Sequence, residues 1–165
     1  MTKAQAISDK ICDSTTLMHR LSMWRFLGRK IVFTNGCFDV LHHGHIYLLN
    51  KAAETDHHCM VVVGLNSDDS VKQLKGEGRP VNRFDDRALL LASLYAVDAV
   101  IGFNDPTPIG LITSILPEYL VKGGDYKEDE VVGADMVRSN GGKVVIVPYL
   151  ENYSTTQLIS KLTHS

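Results

Sequence analysis

Apolar and polar positions along this chain fall into two kinds of block. Five short runs are almost wholly apolar: 30–34, 59–65, 99–103, 119–122 and 144–147. Runs of that length, rich in valine and isoleucine, predict strands buried on both faces, as in a parallel sheet. Between them apolar residues recur at helical spacing. The first helical stretch reaches about Leu27, with Leu17, Leu21, Trp24 and Phe26-Leu27 on one face and Gly28 as its stop. Further helices are predicted over about 44–55, over about 85–95 with Leu89, Leu90 and Leu94 on the apolar side, just after Pro108, and over about 128–139, closed by Gly141-Gly142. A last helix opens at Ser154, where Ser154 and Gln157 have the spacing of a capping box. Residues 66–69 and 72–80 read as polar loops.

Strands alternating with helices over the whole length predict a doubly wound, Rossmann-like sheet of five parallel strands with helices on both faces. Right-handed crossovers put every strand's carboxyl end on one edge, and ligands bind there, where strand order reverses. The length of 165 residues suits one core, divided as a helical extension over 1–28 and a single domain over 29–165. A net charge of -2 gives no hint of a nucleic-acid surface, so any basic site is local. No apolar span is long enough for a membrane helix, and the N-terminus lacks a charged-then-apolar signal pattern. Cys12, Cys37 and Cys59 are odd in number and lack zinc-ligand spacing, which fits a reducing cytoplasm.

The chemistry concentrates in Thr34-Asn35-Gly36-Cys37-Phe38-Asp39-Val40-Leu41-His42-His43-Gly44-His45, a strand end running through a turn into a helix. A helix N-terminus offers unpaired N–H groups and partial positive charge to a phosphate. Gly44 allows close approach, and His42 and His45 can donate to charge developing on phosphoryl oxygen. Together they point to nucleotidyl transfer; the bland alternative is two histidines capping a turn or packing in a core. The loop with Lys72, Lys75 and Arg79 reads either as a solvated surface or as a mobile lid carrying cations to phosphates. Lys122-Gly123-Gly124-Asp125 is a simple turn or a place where a base or ribose meets the backbone. Ser154-Thr155-Thr156 caps a helix and can hold phosphate at the same N–H groups. Arg87, in the first turn of its helix, gains nothing from the dipole, which suggests an anion or carboxylate partner or else plain exposure. Fingerprints of P-loop and dinucleotide-binding proteins are absent.

His42-His43-Gly44-His45 matches the H-x-G-H signature of a nucleotidyltransferase superfamily that includes cytidylyltransferases. The longer stretches Thr34 to Asp39, Asn66-Ser67-Asp68, Leu74-Lys75-Gly76, Arg79-Pro80-Val81-Asn82, Leu120 to Tyr126 and Ser154-Thr155-Thr156 resemble the D-glycero-β-D-manno-heptose 1-phosphate adenylyltransferases, the C-terminal half of a bifunctional ADP-heptose synthase. The cytidylyltransferases for glycerol and ethanolamine phosphates carry R-T-E-G-I-S-T before the last helix, whereas this chain has Leu150-Glu151-Asn152-Tyr153-Ser154-Thr155. The resemblance implies AMP transfer from ATP to a sugar 1-phosphate, with Mg²⁺ bridging the triphosphate and held by no dedicated protein site. It implies catalytic His42, His45 and Lys75. Nucleotide contacts are implied for Asn35, Gly36, Cys37, Phe38, Gly44, Asn66, Lys122, Gly123, Asp125, Ser154, Thr155 and Thr156, and sugar phosphate contacts for Asp39, Lys72, Arg79 and Arg87. Its partners are small molecules rather than nucleic acid or membrane, and it implies a homodimer, with Trp24 or apolar helix faces as the interface. Two alternatives stay open: a cytidylyltransferase for a polyol phosphate, and a nucleotide-binding module without turnover.

Overall fold

The computed structural model describes residues 1–124 and 126–149. In chain order the elements are α1 (Lys3–Ser8), β1 (Ile11–Cys12), α2 (Ser14–Phe26), β2 (Lys30–Gly36), α3 (His43–Ala53), β3 (Cys59–Asn66), α4 (Asp68–Lys75), α5 (Phe84–Ala92), β4 (Ala99–Phe103), α6 (Ile109–Ile115), β5 (Tyr119–Gly123), a 3₁₀ turn (Glu128–Glu130), α7 (Ala134–Ser139) and β6 (Lys143–Val147). All strand pairs are parallel, in the order β1-β4-β3-β2-β5-β6. Side chains alternate across the sheet. Ile31, Phe33, Val62, Ile101 and Leu120 pack with α2, α6 and α7 on one face, and Val32, Val61, Val63, Val100 and Val121 pack with α3 and α5 on the other.

The five predicted strands are present, and a sixth precedes them. Two-residue β1 is too short to register as an apolar run, but Ile11 and Cys12 pair with Val100 and Ile101 at the sheet edge. The segment before β2 therefore shares the main core, where Leu17, Leu21 and Trp24 are buried. Trp24 supplies no interface, and Phe26, placed on the buried face by its spacing, is 90% exposed. On α5 the buried residues are Arg87, Ala88, Leu91 and Ala92, whereas Leu89 and Leu90 face outward. Gly133, at φ 86, divides the helix predicted over 128–139 into the 3₁₀ turn and α7. The polar stretch 66–80 contains α4, whose N-cap Ser67 accepts from the Ser70 N–H. The last predicted helix lies outside the described residues.

The sheet's topology places a crevice. From β2 the chain winds outward through β3 and β4, then crosses back so that β5 lies on the other side of β2. β2 and β3 share seven partner pairs, from Lys30↔Cys59 to Gly36↔Leu65, but β2 and β5 share only Val32↔Tyr119 and Phe33↔Leu120. Beyond those pairs the carboxyl ends of β2 and β5 part, at the strand-order reversal where such sheets bind ligands.

Candidate active site

At that parting lies a cavity of about 530 Å³. One wall is the turn leaving β2. Gly36 ends the strand, and a Cβ on it would sit 3.1 Å from the Phe38 ring. Phe38 itself adopts φ 43, a left-handed conformation costing about 1 kcal/mol or more for a side chain of this kind. That geometry folds its ring, only 4% exposed, against His45 at 5.1 Å between centroids.

His42 is the N-cap of α3 but makes no side-chain cap bond; its carbonyl accepts from the N–H of His45 at 2.9 Å. Three residues apart on a helix, the His42 and His45 side chains share a face. Their rings stack at 3.7 Å, inclined by 24°. Both rings line the cavity, and both Nδ1 atoms are buried without a hydrogen-bond partner among the described residues. Burial, then the neighbouring His42 and Lys75, push the His45 pKa from 6.5 down to about 3. Burial and Lys75 also lower that of His42. Two stacked imidazolium rings beside a lysine would repel, so both rings are neutral near pH 7. Each neutral ring carries one N–H and one lone pair, and neither Nδ1 has a partner among the described residues. The pair thus brings two neutral imidazoles, each with one N–H to donate, to the cavity.

This has a measurable consequence. Above pH 6.5 folded and unfolded chains both hold His45 neutral, and the group contributes nothing to pH dependence. Below it the unfolded ring takes up a proton that the folded ring refuses, so stability falls as pH drops from 6.5 toward 3. Denaturation midpoints measured without ligand between about pH 7 and about pH 5 are expected to decline, and less steeply in His45→Gln.

The cavity floor carries two lysines. Lys122, at the end of β5, has its pKa lowered by burial, and its Nζ lies 3.5 Å from Asn35 Oδ1. Lys75 reaches in from the last turn of α4. The far wall is apolar and aromatic: Tyr47, Leu48, Tyr126, Val147, Pro148 and Tyr149. Gly124, at φ 133, lets two of these rings close over the backbone, since a Cβ there would meet Tyr126 at 2.9 Å and the Tyr149 hydroxyl at 3.0 Å. A polyanion fits the imidazole–lysine end, and a flat base fits the aromatic end.

Residues 33–161 match the family profile described as cytidylyltransferase-like. The chain belongs to the cytidylyltransferase-like family. It is 48% identical over 160 residues to the bifunctional protein HldE of Methylobacillus flagellatus, an alignment covering 97% of this chain and 32% of that one. Against HldE of Nitrobacter hamburgensis the identity is 51% over 158 residues, covering 94% and 32%. The chain thus spans about a third of the length of these relatives. It is also similar to the crystal structure of the lipopolysaccharide core biosynthesis protein from Thermoplasma volcanium, with a TM-score of 0.60 and 25% identity, covering 76% of this chain and 98% of that one. Membership makes the chain a nucleotidyltransferase that acts on a nucleotide.

In this cytidylyltransferase-like domain the structure gathers most of the sequence candidates. Asn35, Gly36, Cys37, Phe38, Asp39, His42, Gly44, His45, Lys75, Lys122 and Gly123 all line the one cavity. Four described candidates stand otherwise. Asn66 is buried, and its amide donates to Ser70 Oγ at 2.9 Å, so it meets the site only through the Cys37 thiol. Lys72 pairs with Glu77 at 3.1 Å on the surface. Arg79 donates from Nε to Asp39 Oδ2 at 2.5 Å. Asp39 also accepts from the N–H groups of Val81 and Asn82, at 2.7 and 3.1 Å, so its carboxylate is engaged by protein donors although it borders the cavity. Arg87 has no exposed side-chain surface and turns inward, so it is a packing and bonding residue rather than a substrate contact. Asp125, Ser154, Thr155 and Thr156 lie outside the described residues. Pattern reading missed the aromatic wall. Tyr47 and Leu48 look like ordinary core positions of α3, and only the Gly-Gly pair before Tyr126 hinted at a close approach.

Proposed function

We propose that the chain transfers AMP from ATP to a sugar 1-phosphate, specifically D-glycero-β-D-manno-heptose 1-phosphate, releasing pyrophosphate. The neutral, stacked His42–His45 pair at the switch-point crevice carries this reading. A sugar phosphate is already an anion at neutral pH and needs no general base. Its oxygen attacks the α-phosphorus in line, the bond from that phosphorus to the bridging oxygen breaks, and the electron pair leaves with pyrophosphate. Catalysis then consists of positioning and charge stabilisation. His42 and His45 donate ring N–H groups to oxygens around the α-phosphorus. Lys75 offsets charge on the departing pyrophosphate. Lys122 and Gly123 face the nucleoside, with Asp125 on the ribose and Ser154, Thr155 and Thr156 on the β- and γ-phosphates, as the family resemblance implies.

Mg²⁺ bound with ATP would be held mainly by the triphosphate's oxygens, as the family resemblance implies, and would supply neutralisation of phosphate charge. The Asp39 carboxylate is engaged by Arg79. On the same reading the protein is a cytoplasmic homodimer, as the family resemblance implies.

A pyrophosphate-release screen tests the reading by crossing ATP, CTP, GTP and UTP with heptose 1-phosphate, glycerol 3-phosphate and other sugar phosphates. The fastest release is expected from ATP with heptose 1-phosphate. Fastest release from CTP with a polyol phosphate would make the protein a cytidylyltransferase. Nucleotide binding without pyrophosphate from any pair would make it a non-catalytic module.

A further inference from the structure

The most costly side chain in the interior is the one the proposed chemistry leaves unused. Arg87 has 0% side-chain exposure, and a buried guanidinium is unfavourable unless every part of it is satisfied. Here each nitrogen reaches a different segment. Nε donates to the Asn82 carbonyl at 3.0 Å, Nη1 to the Cys37 carbonyl at 2.7 Å, and Nη2 to Asp68 Oδ1 at 2.7 Å. These partners belong to the loop before α5, to the turn that leaves β2, and to the first turn of α4.

We infer that Arg87 is a positioning residue: through Asp68 it sets the rotation of α4 and so directs Lys75 into the cavity beside the imidazole pair. Asp68 and Lys75 begin and end the same helix. Seven residues at 3.6 per turn fall about 20° short of two full turns, so both side chains lie along one face, about 10 Å apart on the axis. Pinning Asp68 therefore fixes the direction in which Lys75 leaves the helix. The same guanidinium holds the Cys37 carbonyl, one residue before the left-handed Phe38 whose ring packs on His45. One buried cation thus ties the turn leaving β2 to the start of α4. Asp39 fastens the far end of the 76–82 loop through Arg79, Val81 and Asn82. The backbone carrying Lys75 is thus tied at Asp68 on one side and at residues 79–82 on the other. A lysine at position 87 could keep the ion pair to Asp68 but could not serve three diverging acceptors with one planar fork.

The inference rests on the proposed transfer, so its test is read on two signals. Asp68→Asn removes the charge from the link to α4, leaving at most a neutral hydrogen bond, and sits at a partly exposed position; Asp69→Asn, in the same turn, controls for charge at the helix start. Arg87→Lys, Lys75→Ala and the double variant Asp68→Asn/Lys75→Ala complete the set. The rate of pyrophosphate release is expected to fall roughly tenfold in Asp68→Asn and in Arg87→Lys, since displacements below 1 Å at such contacts already cost rates of that order. Asp69→Asn is expected to match wild type. In the Lys75→Ala background Asp68→Asn should cost less than about twofold, because the group it positions is gone. Full multiplication of the two single effects, or a wild-type rate in folded Asp68→Asn and Arg87→Lys, overturns the inference. Should wild type release no pyrophosphate with any pair, the proposed transfer fails. The same cycle is then read on ATP affinity by calorimetry, where additivity again overturns the positioning role and coupling supports it.

Discussion

Replacing His45 with alanine is expected to lower the rate of pyrophosphate release by at least about a hundredfold while the protein stays folded. Loss of one pre-organised donor to a developing oxyanion costs about 10²–10³ in turnover. His45 fits that description because its ring needs no proton from solvent. It is held neutral by burial and by its neighbours, and it lines the cavity with an N–H to donate. The loss is larger than one donor because His42 stacks on His45 at 3.7 Å and would lose the surface that orients it. The fold tolerates the change. Alanine is the best helix former, and the ring borders an open cavity rather than a closed core, so no dry void remains. The effect should fall on kcat more than on ATP affinity, since lysines at both ends of the cavity floor still attract the triphosphate. A folded His45→Ala protein, checked by circular dichroism, with near-wild-type turnover would remove the imidazole pair from the mechanism.

How much of this was legible before the structure depends on how local each signal is. The strands stood out because burial on both faces makes them continuous apolar runs. The histidine pair stood out because its two members are three residues apart at the mouth of a helix. α4 was hidden by its polarity, since only Ser70 and Val71 are buried along it. A start signal was nevertheless present in Ser67 followed by Asp68-Asp69, with Lys72 and Lys75 at the end, the charge order that favours a helix. The network behind the site was not legible at all. Asp39 meets Arg79, and Cys37 meets Arg87, across forty and fifty residues of sequence. No spacing rule links them. Arg87 illustrates the limit: its position left an anion, a carboxylate or plain exposure open, and nothing local could say that its partner is the Asp68 carboxylate at the start of α4.

Removing the Asp39 carboxylate is expected to destabilise the protein by about 3–5 kcal/mol in Asp39→Ala, the range for breaking a buried ion pair by deleting one partner. The Asp39 side chain is fully buried and that of Arg79 only 19% exposed. Alanine would leave the Arg79 guanidinium without its counter-charge and the N–H groups of Val81 and Asn82 without the Oδ1 they share. The Asp39 side chain is fully buried, so the desolvation penalties of all three donors count against the folded state. Asp39→Asn should cost less, because the amide oxygen still accepts from the backbone. The acid dependence gives an independent check. Burial pushes the Asp39 pKa up, but the Arg79 bond and the two backbone N–H bonds outweigh it and hold the group below its usual value of 3.8. Its contribution is therefore complete above about pH 4 and is lost as pH falls through the lowered value. Urea denaturation at neutral pH should show the full deficit of Asp39→Ala, and the gap to wild type should narrow on acidification below pH 4. A deficit under about 1 kcal/mol at neutral pH, or one that does not shrink in acid, would show that Arg79 and the 76–82 loop are held by something other than this carboxylate.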